Sequence, residues 1–360
     1  MNESFSIKAY QALTTNTIYS KKYFSFGLLD GNMSMAIIYA LLAKQYNNPN
    51  YAAKTLLLLD EISENIASIE DLQFANGLAG IGWGVEWLVQ NDLLQDTNTD
   101  EVLSNVDDTL YKTIIYKKEN NISLLKGTMG KIAYFLKRES SLNPGTHRFK
   151  RIAHQECIVL LTDDLQEKLL GESGILEKIE LQSNLQNIID LGNILLLMVA
   201  ITNINKPTVE AILYETISAS EKLLETVDAS HCNNQQLKNI DYACNMLYLA
   251  ICCLITGKKY KYSCWESQAV RYIEKVLPFI ITNEDIDEPQ AYKKLLVLSL
   301  LTIHIPKVDS RVTIKKLIAL LSSKQPDFRL YNGVGTIILA ELSLANPLLI
   351  ESWHEIFFIK

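Results

Sequence analysis

A glycine turn opens an apolar stretch at Asn76-Gly77-Leu78-Ala79-Gly80-Ile81-Gly82, and similar turns precede two other apolar stretches. The first copy is Asp30-Gly31-Asn32 and the third is Lys126-Gly127-Thr128-Met129-Gly130, so the leading glycines stand 46 and 50 residues apart. A period of roughly 50 residues accommodates two helices and their connections, which is typical of stacked helical hairpins. We therefore expect about seven hairpins along the chain.

Weaker copies of this turn extend the repeat toward the C-terminus. One contains Asp190 and Gly192, a shortened one contains Asn332 and Gly333, and between them Asp241 begins an apolar helix that lacks the glycine. Glycine lowers helix propensity by up to about 1 kcal/mol relative to alanine, a loss that close approach between helices would offset. The small residues therefore predict crowding of the inner helices at the centre of a closed ring.

Apolar residues recur at helical spacing along nearly the whole chain, without the long alternating runs typical of half-buried strands. This pattern predicts an all-α protein. No stretch is rich enough in Pro, Gly and Ser to act as a flexible linker, so we expect one domain over residues 1–360. A dinucleotide-binding site would need a β-strand before the glycine turn, and the pattern shows none.

Composition limits which partners the protein can bind and in which cell compartment we expect it. A formal charge of −7 argues against binding to nucleic acid, which requires clustered Lys and Arg. The apolar runs at 194–201 and 246–255 are shorter than the roughly 18 residues that cross a bilayer, so we expect core helices and no membrane. The N-terminus lacks a signal-peptide pattern, and the six cysteines form no CxxC pair, which together predict a cytoplasmic protein with free thiols.

The segment from Asn76 to Leu88 resembles the glycine motif of lanthionine synthetase C-like proteins. The resemblance extends from about Leu28 to about Leu344 and is clearest in the second, third and last copies of the turn. It implies an all-α fold, an (α/α) toroid of about seven helical hairpins, with the glycine turns on one face. It also implies a zinc ion and a peptide substrate at that face, where zinc would lower the pKa of a peptide thiol that adds to a dehydrated Ser or Thr.

The zinc ligands that the resemblance implies are missing from this sequence. The family has a Trp-Cys-Tyr-Gly turn in the fifth repeat, a Cys-His-Gly turn in the sixth and a histidine before an earlier glycine. Here the fifth repeat contains Cys244 without that tetrapeptide, and the sixth, at 290–295, contains neither Cys nor His. The pair His231-Cys232 has the reverse order and stands in a polar segment that is typical of a loop or helix start. We therefore expect no metal and no cofactor.

Three functions remain open at this point. The first is a zinc-free relative of the cyclases that binds a peptide substrate or a peptide-modifying enzyme during maturation of a ribosomally made natural product. The second is an active enzyme with other chemistry, either zinc-independent peptide cyclisation or glycoside hydrolysis by carboxylates such as Asp30, Asp190 and Asp241. The third is an interaction module in which Trp83 and Trp87 are either exposed anchors or core residues.

Residues at the starts of the inner helices are the candidates for peptide binding at the mouth of the ring. Helix N-termini there would offer unpaired N–H groups and partial positive charge to an anionic peptide. We expect most of these residues to cap their own helices, whereas Lys126, a cation at a helix N-terminus, should pair with an acidic neighbour or with a peptide anion. The candidates are Asp30, Asn76, Lys126, Asp190, Asp241 and Asn332. The sequence assigns no catalytic residue.

Overall fold

The computed structural model describes residues 7, 8, 11, 25–117, 119–141, 143, 148–172, 174–177, 185–201, 203–225, 236–305, 310–324 and 328–346. These residues form helices and turns and no β-strand, which confirms the predicted all-α class. In chain order the α-helices are α1 (Asn32–Tyr46), α2 (Pro49–Asn65), α3 (Leu78–Gln90), α4 (Thr99–Val102), α5 (Ser104–Tyr116), α6 (Thr128–Glu139), α7 (Arg148–Leu170), α8 (Leu185–Ala200), α9 (Lys206–Glu225), α10 (Ile240–Tyr260), α11 (Ser263–Thr282), α12 (Glu288–His304), α13 (Arg311–Ser322) and α14 (Val334–Ala345).

Burial divides these helices into two alternating kinds. In α1, 11 of the 15 residues are buried, whereas in α2 only 4 of 17 are. A helix that is apolar all round needs neighbours on every side, while a helix with one apolar stripe covers such a helix and presents its polar face to solvent. The alternation of the two kinds therefore reflects the hairpin repeat that the sequence predicts.

The chain forms two compact units, Met1–Thr162 with Gln325–Leu339 and Asp163–Lys324 with Ala340–Lys360. In the first unit, α3 packs against α1 and α6, while α2 covers α1 and α5 covers α3. In the second, α10 packs against α8 and α12, and the one-sided helices α9, α11 and α13 cover α8, α10 and α12 respectively. A single domain over residues 1–360 stays a prediction.

The glycines that lead the three clear turns are the N-cap residues of their helices. Gly31, Gly77 and Gly127 all have extended backbone, which any residue adopts, so conformation alone does not require glycine. A Cβ atom at Gly127 would lie 2.0 Å from the carbonyl oxygen of Asn121, and the other two glycines meet the carbonyl six residues earlier in the same way. The glycines therefore close the loop tightly on itself. Our explanation of these glycines by contact between helices is wrong.

Helix-to-helix contact does explain glycines further along the buried helices. A Cβ at Gly82 would lie 2.6 Å from the ring of Tyr134 on α6, and one at Gly192 would lie 2.7 Å from Tyr248 on α10. Gly192 is thus the eighth residue of α8, not the leading glycine of a turn, which corrects our assignment of the fourth repeat.

Backbone hydrogen bonds connect the turns of the first unit in a row. The amide of Ala75 donates to the carbonyl of Leu125 at 2.9 Å, that of Leu29 to Ala75 at 3.0 Å, and that of Leu330 to Leu29 at 2.9 Å. The last turn therefore lies beside the first, and these four turns of the first unit are neighbours. Leu330 donates to the neighbouring turn as Leu29 does, so Leu330 corresponds in position to Leu29. Asn332 therefore corresponds to Gly31, whereas the sequence analysis had aligned Gly333 with it.

Within the described part of the chain, one helix is long and apolar enough to cross a membrane by length and composition, namely α10. In this protein 83% of its apolar stretch is buried. Its composition is explained by packing against α8, α11 and α12, in agreement with the core helix that the sequence predicts there.

Candidate functional site

The first two candidate residues bind each other. The side-chain amide of Asn76 donates to the Asp30 carboxylate at 3.1 Å, and the backbone amide of Asp30 donates to the Asn76 side-chain oxygen at 3.1 Å. This reciprocal pair links the first turn to the second and adds to the backbone row. Both side chains remain partly exposed, so the carboxylate of Asp30 is accessible beside the turn.

Lys126 lies directly before the N-cap Gly127, with its side chain exposed. No ion pair or hydrogen bond joins its ammonium group to another residue of the described ranges. The acidic neighbour that we considered for it is therefore not observed among these residues. Its ammonium group is accessible to an anion from outside the chain.

Asp190 is the candidate whose carboxyl differs most from its ordinary state. It lies in the second turn of α8, is 8% exposed, and accepts one hydrogen bond from Gln186 at 3.1 Å. Burial raises the pKa of this carboxyl to about 6, and the hydrogen bond from Gln186 only partly opposes the effect.

Asp241 joins two turns of the second unit. It is the second residue of α10, and its carboxylate contacts the Lys293 ammonium at 3.1 Å and accepts from the Gln290 amide at 3.0 Å, both on α12. The loops before these helices are also joined, because the Asn283 side chain donates to the Lys238 carbonyl at 3.2 Å. An ion pair and two hydrogen bonds thus join the start of α10 to the start of α12.

Asn332, the last candidate, has an exposed side chain and a left-handed backbone, with φ of 58°. Asparagine tolerates this conformation better than most residues. The left-handed backbone of this turn therefore explains why asparagine is found at position 332.

The expectation that most candidates cap their own helices is wrong. Asp30, Asn76 and Lys126 each precede a glycine N-cap, Asp190 lies inside α8, and the N-cap of α10 is Asn239 rather than Asp241. In the first unit, backbone carbonyls accept the first amides of the helices instead. The carbonyls of Ser25, Asp71 and Asn121 accept the first amide of α1, α3 and α6 at 3.0, 2.8 and 2.9 Å. These amides are consequently paired and are not free to bind an anion.

The described residues do not fit the zinc ion that the family resemblance implies. No group of three or more His, Cys, Asp or Glu side chains that could hold a metal occurs among them. Cys244, at the place of the first implied ligand, is fully buried inside α10, and burial raises the pKa of its thiol to about 12. A metal site needs an accessible thiolate, and this thiol stays protonated at neutral pH. His231 and Cys232 lie outside the described residues.

Other thiols follow the same pattern. Burial raises the pKa of Cys157 to about 12 and that of Cys253 to about 12, and it raises the pKa of Cys252 well above its ordinary value. Cys252 and Cys253 are 0% and 4% exposed, in agreement with the core helix predicted over 246–255. Trp83 and Trp87 are also core residues, 2% and 0% exposed, with their rings stacked 6.3 Å apart.

A buried charge cluster that our sequence analysis missed lies in the first unit. The Arg138 guanidinium, on α6, contacts the carboxylates of Glu86 at 2.6 Å, Asp100 at 3.0 Å and Asp107 at 2.9 Å. His154 contacts Asp107 as well, at 3.3 Å. Burial raises the pKa of Asp107, but hydrogen bonds and charge from His154 and Arg138 outweigh it and lower that pKa to about 2. Glu86, a charge between Val85 and Trp87 in an apolar helix, was the signal available in the sequence.

Comparison with known proteins supports the resemblance seen in the sequence. Residues 7–172 match the family model described as lanthionine synthetase C-like protein. No curated protein matches the sequence of this chain. Among solved structures, nisin cyclase resembles it with a TM-score of 0.66 over 98% of this chain and 96% of that chain, at 10% sequence identity. Identity this low shows a common fold and nothing finer. Over residues 7–172 the chain therefore matches the lanthionine synthetase C-like family, and it has the all-α, (α/α) toroid fold of nisin cyclase.

Proposed function

We propose that this chain is a zinc-free member of its family that binds a ribosomally made peptide, or the enzyme that modifies it, during maturation of a peptide natural product in the cytoplasm. The family match over residues 7–172 supports an interaction with a peptide in general terms.

One observation carries the proposal, namely the junction between α10 and α12. At the turns where the resemblance implies cysteine and histidine ligands, the Asp241 carboxylate binds Lys293 and Gln290, and the nearby Cys244 thiol is buried and protonated. Zinc-assisted thioether formation needs soft ligands around an open coordination position. A carboxylate already bound to an ammonium group supplies neither.

The peptide would bind at the exposed candidate residues of the first unit. Lys126 is accessible, and the Asp30 carboxylate, two turns further along the row, is only partly covered. Together they offer one cation and one anion to a peptide backbone or side chain. Binding sites commonly orient their ligand by a small number of polar groups held on a rigid framework.

A synthetic peptide that carries one dehydroalanine and one cysteine tests the proposal. We expect the metal-free protein to bind this peptide, as measured by fluorescence anisotropy, and to leave the rate of thiol loss equal to that of the peptide alone. Nisin cyclase with zinc, assayed in parallel, shows that the peptide can react. Thiol loss accelerated by our metal-free protein would instead support zinc-independent cyclisation, the enzymatic alternative.

Lys126→Ala examines the binding site. If Lys126 contacts the peptide, this variant binds it more weakly, while the melting temperature stays the same or rises slightly because a cation is removed from a helix N-terminus. The matched control is Lys112→Ala, which removes another exposed lysine of the same unit. Equal binding by the parent and Lys126→Ala would exclude this ligand role.

A further inference from the structure

Aromatic side chains cluster on the surface of the second unit. The ring of Trp265 lies 4.8 Å from that of Tyr262 and 5.8 Å from that of Tyr214 on α9. Tyr214 and Tyr262 are each 52% exposed, and Tyr260 is 36% exposed. Because the rings pack against one another, they form a rigid surface that loses little side-chain entropy on binding. We call residues 258–265 together with Tyr214 the aromatic turn.

Two residues of the aromatic turn are poorly suited to their backbone positions. Lys261 ends α10 in the left-handed conformation, with φ of 55°, where glycine or asparagine is favoured. Tyr262 is the N-cap of α11 and makes no capping hydrogen bond, at a position where Ser, Thr, Asp or Asn is favoured. Both side chains are exposed and neither caps its helix, and the Tyr262 ring contacts Trp265 within the aromatic turn itself. Such local conflicts between residue type and backbone are concentrated at functional sites.

The aromatic turn is also locally basic in a chain whose formal charge is −7. Lys258, Lys259 and Lys261 are all exposed. Lys258 donates to the carbonyl of His304 at 2.9 Å, whereas Lys259 and Lys261 form no ion pair with another described residue. Two free ammonium groups beside exposed tyrosine rings complement an acidic segment that also carries apolar side chains.

We infer that the aromatic turn is a docking surface for an acidic, partly apolar segment of the peptide that this protein binds. The inference rests on the proposed function, to which it adds a surface and a partner chemistry. A peptide is favoured over an anionic membrane because Trp265, the side chain best suited to a bilayer interface, is partly covered by Tyr214 and Tyr262. The helix N-termini of the first unit, whose first amides are paired, do not compete for such a segment.

The test combines Lys261→Gly with Tyr262→Ser in the full chain. Both changes introduce residues that the backbone favours, so the melting temperature of the double variant should equal or exceed that of the parent. The probe is a fluorescein-labelled peptide of Glu and Leu. We expect the parent to bind it, the double variant to bind it about tenfold more weakly, and binding to weaken as salt is added.

The control variant is Lys315→Gly with Tyr111→Ser, which removes an exposed lysine and an exposed tyrosine from other surfaces and should bind like the parent. A counterpart peptide with Gln in place of Glu should bind weakly. Equal binding by the parent and the Lys261→Gly, Tyr262→Ser variant would overturn the inference, as would failure of the parent to bind the acidic peptide.

A last experiment measures binding of the parent protein to vesicles of phosphatidylserine and phosphatidylcholine. Parent protein that binds these vesicles but not the peptide would refute the peptide assignment in favour of a membrane surface. The docking inference and the proposed function can fail separately. Thiol loss accelerated by the metal-free protein would contradict the binding-partner role, whatever binds the aromatic turn.

Discussion

At Arg138 a single side chain satisfies three buried carboxylates. Its guanidinium also donates to the Thr99 hydroxyl at 2.9 Å, and Glu86 receives a further bond from Gln90 at 2.9 Å. A buried ion pair contributes little compared with an apolar replacement of the whole group, but removal of one partner leaves the others buried and unpaired. The cluster therefore makes the packing of α3, α5 and α6 specific.

We expect Arg138→Met to destabilise the protein by about 3–5 kcal/mol, because Glu86, Asp100 and Asp107 would stay buried without the guanidinium that contacts all three carboxylates. Urea unfolding of the parent and variant measures the difference. The matched control is Arg151→Met, since Arg151 is 60% exposed in its pair with Glu139 and should change stability by less than about 1 kcal/mol. Equal effects of the two variants would show that the buried cluster is not intact in solution.

The raised pKa of Asp190 predicts a pH dependence with a definite sign. The folded carboxyl has a pKa of about 6 and binds its proton more tightly than the unfolded chain, whose ordinary value is 3.8. Its favourable contribution is therefore complete below the unfolded value and is lost as the pH rises toward 6 and above.

Asp190→Asn replaces the carboxyl by a neutral amide, so the variant does not lose stability by ionisation at this position. At pH 7–8 the variant should be more stable than the parent by about 1–3 kcal/mol, and the advantage should shrink as the pH falls from 6 to 4. Chemical unfolding at several pH values provides the measurement. A variant that is less stable than the parent at pH 8 would show that the ionised carboxylate has a partner that the described residues do not include.

The glycine turns are features of whole elements, since each one fixes how a loop enters a helix. The loop carbonyl of Asn121 lies against Gly127 and accepts the amide of Thr128 at 2.9 Å, and the first and second turns repeat the arrangement. One contact thus closes the loop and satisfies the helix terminus. The space for that carbonyl exists only because the N-cap residue has no side chain.

Gly127→Ala should accordingly cost about 1–3 kcal/mol, because its Cβ forces the Asn121 carbonyl away and weakens the bond to Thr128. Thermal and urea unfolding both report the loss. Lys126→Ala, one residue earlier and exposed, should stay within about 0.5 kcal/mol of the parent. If Gly127→Ala were as stable as Lys126→Ala, the tight loop closure would be refuted.

For the whole molecule, the junction of α10 and α12 predicts independence from metal. We expect purified protein to contain well under one zinc per chain by elemental analysis, and a chelator to leave its melting temperature unchanged. Structural zinc would instead make the fold sensitive to chelation. About one zinc per chain after extensive dialysis would contradict this prediction and direct attention to His231 and Cys232.

Much of the architecture follows from the sequence because hydrophobic periodicity reports helices directly. The hairpin period located α1, α3 and α6 from their glycine turns, and the apolar run after Asp241 located α10 without a glycine. The alignment failed at Gly192, where a glycine that accommodates Tyr248 inside a helix looks like one that opens a turn. Local sequence does not reveal which atoms will occupy the space beside a glycine.

The sequence by itself determined the all-α class, the hairpin repeat, the family resemblance and the missing Trp-Cys-Tyr-Gly and Cys-His-Gly turns, because each depends on residue types and spacings along one stretch of chain. Only the tertiary structure decided that Arg138 holds Glu86, Asp100 and Asp107, that Asp241 binds Lys293, and that Lys261 and Tyr262 stand exposed beside Tyr214 and Trp265. Apart from Tyr262 and Trp265, the side chains in contact are 31 to 52 positions apart in the sequence, and the fold alone determines which distant side chains meet.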